Sequence, residues 1–320
     1  MIYSRYRILF LADEIVHNRS YEFWVKASSI ITMVMVSLMI AAKAWAWLAS
    51  GSASMLGSLT DSLMDITATF MSFLVLGYAL RPADDDHRFG HGKAEALAGL
   101  GQAAFIAGSG CLLAFHGIER LFNPIELTHS LLGVWVSAFA IACTLVIVFV
   151  QTKVIQHTES IAIKADSVHY KGDLILNAAV LIAIALSYYG MMYADPIFAI
   201  GVAGYLLYNS WDIARDSADH LMDKELPDDE KQSIFDIAKE HSDVHGVHGI
   251  RTRQGGKIKF IQMHLELDDH LSLIRAHTVA DEVEAMIGAR FESEVDILIH
   301  LDPLSVLTKP SPTHKTYTDS

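Results

Sequence analysis

Cysteine is scarce. The 320-residue chain has two, Cys111 and Cys143, both inside apolar runs. They read as small packing residues. Neither a disulfide framework nor a thiolate-rich metal site can be built from them. Surplus basic charge is missing as well. The formal net charge is −13, and 22 acidic against 12 basic residues from Ser210 onward supply −10 of it. A nucleic-acid partner is excluded by that balance, since no basic face is available for phosphates. A His-Glu-x-x-His motif does not occur, which argues against an intramembrane metalloprotease. At the N-terminus the apolar part, Ile8 to Ala12, is too short for a signal-peptide core and runs straight into Asp13 and Glu14.

Apolar residues are abundant. Hydrophobic types make up 52% of the chain and the mean hydropathy is +0.32. Six long apolar runs, at 24–50, 53–80, 95–122, 131–152, 165–190 and 194–215, are each long enough to cross a hydrocarbon core of roughly 30 Å as a helix. The expected fold is an α-helical membrane protein with a six-helix transmembrane bundle. Lys and Arg gather in the N-terminal stretch (Arg5, Arg7, Arg19) and in the second and fourth connectors (Arg81, Arg88, Lys93, Lys153, Lys164). That asymmetry sets the protein as multi-pass, with both termini in the cytoplasm. Lys43 is expected to snorkel, and Trp45, Trp47 and Trp135 to anchor at the interfaces. Gly99, Gly101, Gly108 and Gly110 are expected to admit close helix packing. His116 and Glu119 read as solvated groups near a helix end.

Beyond Ser210 the hydrophobicity falls. Asp228 to His241 and Ser272 to Ile287 carry helical patterns, the first with Pro227 at its start. Val247 to Arg253, Lys257 to Leu267 and Val295 to His300 read as strands, with Gln254-Gly-Gly256 as a hairpin turn. In the second strand Phe260, Gln262, His264 and Glu266 alternate with Ile261, Met263, Leu265 and Leu267. The order αββαβ predicts a C-terminal cytoplasmic α+β domain, a small open sheet with helices on one face. The expected organisation is a cytoplasmic extension over 1–23 with a short surface helix, a membrane domain over 24–216, a cytoplasmic domain over 217–306 and a disordered tail over 307–320.

Three groups of side chains carry chemistry. Asp61 and Asp65 lie four apart in the second apolar run, and His169 and Asp173 repeat that spacing in the fifth. Each pair falls on one helix face. Uncompensated carboxylates at membrane depth are costly, and Lys171 is the one nearby cation in these two stretches. Three carboxylates and an imidazole make a four-ligand cage for a divalent cation. The second group is Asp84, His87 and His91, whose spacings of three and four allow one ion to be shared. On spacing alone a solvated loop explains them equally well. Nine of the sixteen histidines follow residue 216. His248, His264, His277 and His300 fall on predicted regular elements, with Asp302 two residues after the last, so they can converge on metal. His220, His241, His245, His270 and His314 read as scattered surface residues.

Together these motifs resemble the cation diffusion facilitator family, over about Phe23 to Val306. The marks are Gly51-Ser-Ala-Ser-Met-Leu56 with Thr60-Asp-Ser-Leu-Met-Asp65, Pro82 to Glu95, Ala165 to Asp173, Leu221-Met-Asp-Lys-Glu-Leu-Pro227, Arg251-Thr-Arg-Gln-Gly255 and Ile299-His-Leu-Asp-Pro303. The resemblance implies a homodimer in the bacterial inner membrane with a cytoplasmic domain of metallochaperone-like fold. It implies a transport site at Asp61, Asp65, His169 and Asp173, a loop site at Asp84, His87 and His91, and a two-metal site at His248, His264, His277, His300 and Asp302 where the cytoplasmic domains meet. Lys93 and Asp223 match a charge pair tying the two parts together. Leu301 departs from the Gln of close relatives.

The expected activity is that of a secondary transporter, not an enzyme: proton-coupled efflux of Zn²⁺, Cd²⁺ or Fe²⁺ by alternating access. Metal ligation displaces protons from Asp61, Asp65, His169 and Asp173. His169 is the natural coupling group, because an imidazole ordinarily titrates near about 6.5. The alternatives are a metal-gated channel, a metal sensor and, with all four ligand positions filled by protein, least of all an enzyme.

Overall fold

A computed structural model describes residues 2–50, 53–122, 131–188, 193–291 and 293–306. The expected disordered tail, 307–320, lies outside the described residues. The chain divides into two compact units, Tyr21–Ala218 and Asp219–Ser320, the latter grouped with Met1–Ser20.

Six long helices precede the small domain: α1 (Ile2–Ser50), α2 (Ala53–Ala79), α3 (Lys93–Phe122), α4 (Leu131–Thr158), α5 (Ile161–Tyr188) and α6 (Ala194–Leu221). Among the described residues, the stretches Tyr21–Ala49, Ser58–Ala79, Lys93–Phe122 and Trp135–Thr158 are long and apolar enough to cross a membrane. Large apolar side chains such as Leu112 and Phe149 point outward, 63% and 65% exposed, as lipid-facing residues do.

Helix α1 departs from expectation. The N-terminal stretch is not a separate surface helix but the first turns of α1, which is 49 residues long. No proline or glycine occurs before Gly51, so nothing in the sequence breaks the helix.

Inside the bundle, Ala103 and Ile106 of α3, Ala165 and Val168 of α5, and Val202, Leu206 and Ile213 of α6 form one buried cluster. Val25, Leu76, Ala98, Val154, Ala162 and Ile163 form another, drawn from α1 to α5. The glycine expectation for α3 divides. A Cβ on Gly99 would meet Ser217 Oγ at 2.6 Å and one on Gly110 would meet Leu207 at 3.2 Å, whereas Gly101 and Gly108 face open space. Lys43 is held by the neighbouring helix. Its Nζ donates to Ser62 Oγ at 2.6 Å and to the Ser58 carbonyl at 3.3 Å, on the α2 turn that carries Asp61.

The second unit is α7 (Asp228–Glu240), β1 (Gly246–Gly255), β2 (Ile258–Leu267), α8 (Leu273–Gly288), β3 (Val295–Pro303) and a short 3₁₀ turn, Leu304–Val306. The order is αββαβ, as the sequence pattern implies. The sheet is mixed: β1 runs antiparallel to β2, and β2 runs parallel to β3. The hairpin turn is one residue later than expected. Gly255 pairs with Ile258, so Gly256 and Lys257 make the turn, with Gly256 at φ +64°. Ser272 caps α8, its hydroxyl accepting from Arg275 N at 3.3 Å.

The period of two in β2 sorts its faces. Ile261, Met263, Leu265 and Leu267 are at most 3% exposed and pack with Ile234 and Ala238 of α7 and Val279, Val283 and Ile287 of α8. Both helices thus cover one face, leaving the other to Gln262, His264 and Glu266. His241, expected as a scattered surface residue, instead bonds Glu282 of α8 at 2.8 Å.

Candidate metal centres

The first centre lies between α2 and α5. The i,i+4 spacing places His169 and Asp173 on one face of α5, and the contact with α2 brings Asp65 to them. His169 Nε2 lies 3.4 Å from Asp65 Oδ1 and 3.7 Å from Asp173 Oδ2. Donor atoms of the three residues all fall within 4.8 Å of one another. His169 is 4% exposed and its Nε2 has no hydrogen-bond partner among the described residues. Phe105 of α3 sits edge-on to its ring at 5.9 Å. Asp61 lies on α2 one turn before Asp65, but its side chain is outside the described residues. Two carboxylates and one imidazole, without a thiol, form a mixed oxygen and nitrogen donor set that suits a divalent transition metal.

The second centre is the connector between α2 and α3. Asp84 Oδ1 accepts from the backbone of Asp86 at 3.1 Å and of His87 at 2.7 Å, a short turn that the Asp side chain closes. His87 Nδ1 is 3.2 Å from Asp84 Oδ1, and His91 Nε2 is 3.4 Å from Asp84 Oδ2. The His91 Nδ1 donates to the Pro82 carbonyl at 3.2 Å, which leaves the Nε2 lone pair facing the aspartate. The backbone N–H of His87 holds the Asp84 carboxyl below its ordinary pKa. His91 is buried, whereas Asp84 and His87 are exposed. The residues that spacing left ambiguous do converge.

The third centre is the uncovered face of the small sheet. Register puts His248, His264 and His300 side by side across β1, β2 and β3, with Glu266 and Asp302 in the next row. Asp302 Oδ2 lies 2.8 Å from His264 Nδ1 and 3.3 Å from His248 Nε2, and Asp302 Oδ1 lies 3.3 Å from His300 Nε2. Three imidazoles around one carboxylate are thus preassembled. A bulge between His248 and Arg251 lets β1 keep this alignment, with Gly249 at φ +62°. His277 is not part of the group. It stands on α8, 74% exposed, with Nε2 3.7 Å from Asp281.

Glu266 was missed by sequence reasoning. Its Oε1 lies 3.0 Å from His248 Nδ1, fixing that ring's orientation. The signal was present, since Glu266 shares the period-two face of His264. Asp223, at φ +58°, meets Arg253 Nη1 at 3.4 Å inside the small domain, and Lys93 opens α3 in the other unit.

The geometry can be set beside known proteins. Residues 29–222 match the cation efflux transmembrane domain, and residues 226–304 match the cation efflux protein cytoplasmic domain. The cation-efflux pump FieF of Shewanella oneidensis is 49% identical over 286 residues, 89% of this chain and 96% of that protein. FieF of Escherichia fergusonii is 44% identical over 292 residues, 91% and 97% respectively. Among solved structures, the metal-bound C-terminal domain of the CzcD transporter from Thermotoga maritima is 30% identical, covers 24% of this chain and 88% of its own, and has a TM-score of 0.23. With a family match across more than half its length and near-full-length relatives, the chain belongs to the cation efflux family, and is a membrane-embedded transporter rather than an enzyme.

Proposed function

We propose that the protein is a proton-coupled antiporter that exports a divalent transition metal, Zn²⁺ first among Zn²⁺, Cd²⁺ and Fe²⁺, from the cytoplasm. The observation that carries this reading is the convergence of Asp65, His169 and Asp173 on one point between two helices of the membrane unit. On this reading Asp61, one turn away in sequence on α2, is the fourth ligand. Metal entering from the cytoplasm displaces protons from these groups, because ligation needs deprotonated carboxylates and a free imidazole nitrogen. Opening to the other side by alternating access lets protons return and release the metal. An oxygen-rich cage with one nitrogen discriminates only modestly among these ions.

The loop group, Asp84, His87 and His91, is a second metal site on this reading. The sheet group, His248, His264, His300 and Asp302, with His277 from across a homodimer, holds regulatory metal. Acidic domains repel one another, and bound cations cancel that charge and draw the protomers together. A Lys93–Asp223 pair passes the closure to the membrane helices. The setting is the inner membrane of a bacterium, with both termini cytoplasmic.

The test is metal uptake into proteoliposomes with and without a pH gradient. Wild type should accumulate Zn²⁺ only when the gradient is imposed, and Asp173→Ala should lose uptake while inserting normally. Uptake in wild type that ignores the gradient would favour a metal-gated channel. Parent-rate uptake by Asp173→Ala would remove the cage assignment.

A further inference from the structure

Asp166 takes no part in the cage. It stands on α5 three residues before His169 and is 8% exposed. Gln151 Nε2 of α4 donates to Asp166 Oδ2 at 2.6 Å and to Thr32 Oγ1 of α1 at 3.3 Å. These side chains, with Ser28 of α1 and Thr69 and Ser72 of α2, line a cavity of about 20 Å³. That is room for one occupant the size of a water molecule.

Two buried atoms of these lining residues, Asp166 Oδ1 and Gln151 Oε1, make no hydrogen bond among the described residues, although the Thr69 hydroxyl stands close to the Asp166 carboxyl. Both accept only. The amide cannot be turned round to change this, because its oxygen would then oppose the carboxylate. The occupant must therefore bring protons or positive charge. No Lys, Arg or His is among the lining residues. A carboxylate at this depth needs a neutralising partner.

The ligand chemistry narrows the choice. Every polar group on the wall offers a hard oxygen, and none offers nitrogen or sulfur as a ligand. Transition metals prefer softer donors. A single carboxylate balances a single positive charge. Among the described residues, the titratable groups nearby are His169, Tyr170 and Asp173 on α5 itself, with Asp65 of α2 reached through Tyr170, while α1 and α4 present Ser28, Ser29, Thr32 and Gln151 to the cavity.

We propose that the Asp166 pocket binds a monovalent cation, a proton or Na⁺, at a seat distinct from the divalent cage. Thr69 ties the two layers together, because its hydroxyl also bonds Tyr170 Oη at 2.8 Å, next to His169 in sequence. The proposal goes beyond the metal-exchange reading and is tested without measuring uptake.

The experiment is carbodiimide labelling of the full-length protein in proteoliposomes, read by mass spectrometry of the Asp166 peptide. Carbodiimides modify protonated carboxyls in apolar surroundings. Label that falls several-fold when NaCl replaces choline chloride at equal ionic strength identifies Na⁺ as the occupant. Label indifferent to Na⁺ that falls several-fold as pH rises identifies a proton. A second measurement compares thermal unfolding of the wild type with that of Asp166→Asn, whose amide holds neither cation. The midpoint should respond to Na⁺ or pH in the wild type and less so in the variant. An unlabelled Asp166 at every pH, together with parallel responses of the two proteins, would show that the cavity holds only neutral water and would overturn the proposal. That outcome leaves the cage reading to stand or fall on Asp173→Ala.

Discussion

Thr69 Oγ1 on α2 and Tyr170 Oη on α5 lie 2.8 Å apart, in a buried contact that sets the height of one helix against the other. Asp65 is one turn before Thr69, and His169 is next to Tyr170, so the bond aligns residues of the proposed cage that it does not touch. The Tyr170 ring packs with Val36 and Ile147. Tyr170→Phe keeps that packing and removes the hydroxyl, at a cost of about 1 kcal/mol. Zn²⁺ uptake should survive with its half-saturating concentration raised several-fold. A parent-like concentration dependence would mean that packing alone sets the register of α2 on α5.

Gly249 sits in the β1 bulge at φ +62°, and a Cβ built there comes within 3.1 Å of His264 Cδ2. Gly249→Ala should therefore destabilise the small domain by about 1–2 kcal/mol, for the left-handed backbone that alanine resists. It should also push His264 out of line with Asp302. Thermal unfolding of the full chain tests the first effect, and Zn²⁺ affinity in an Asp173→Ala background tests the second. Neither changing would mean the bulge can relax freely.

The sheet centre shares Asp302 among three imidazoles, so losing two of them leaves one carboxylate and one histidine in this group. The double variant His264→Ala/His300→Ala should lower Zn²⁺ binding at this centre by at least about tenfold, since a two-ligand remnant binds metal poorly. Uptake should fall only in part, because the membrane cage is untouched. Calorimetry on full-length protein lacking Asp173, with light scattering for the dimer, decides it. Wild-type binding in the double variant would reduce these histidines to surface groups.

Asp84 closes its loop through backbone bonds from Asp86 and His87, and its carboxyl is held below the ordinary aspartate pKa by the His87 N–H. A depressed folded-state pKa contributes order that is present above the unfolded value, about 3.9, and is lost as pH falls through the lower folded value. Amide exchange at His87 should thus stay slow down to pH values below the usual aspartate range. In Asp84→Ala that protection should be absent at every pH. Equal exchange in the two proteins would show that the loop is held by other contacts.

Much of the architecture was legible because the hydrophobic effect writes it in periods. Runs such as 131–152 have no alternative to a membrane helix, and the strict alternation of Ile261, Met263, Leu265 and Leu267 fixes which face of β2 meets α7 and α8. The i,i+4 pairs were legible for a related reason, since helical geometry alone places His169 beside Asp173.

Side-chain partners between elements were not legible. The pattern of α1 carries no mark of the bonds from Lys43 to Ser58 and Ser62. His241 was expected in solvent and bonds Glu282. Asp166 and Gln151 are 15 residues apart on different helices, and nothing in either local pattern announces their 2.6 Å contact.

The sequence by itself determined the six long helices though not the start of the first, the αββαβ order and the ligand types available, because each depends on interactions within a few residues along the chain. Only the tertiary structure decided which of those groups meet: His248, His264 and His300 in one register row, Asp65 opposite His169, and His277 left outside. Register and helix contact are long-range quantities, set by how whole faces pack, and a spacing along one element carries no information about its height against the next.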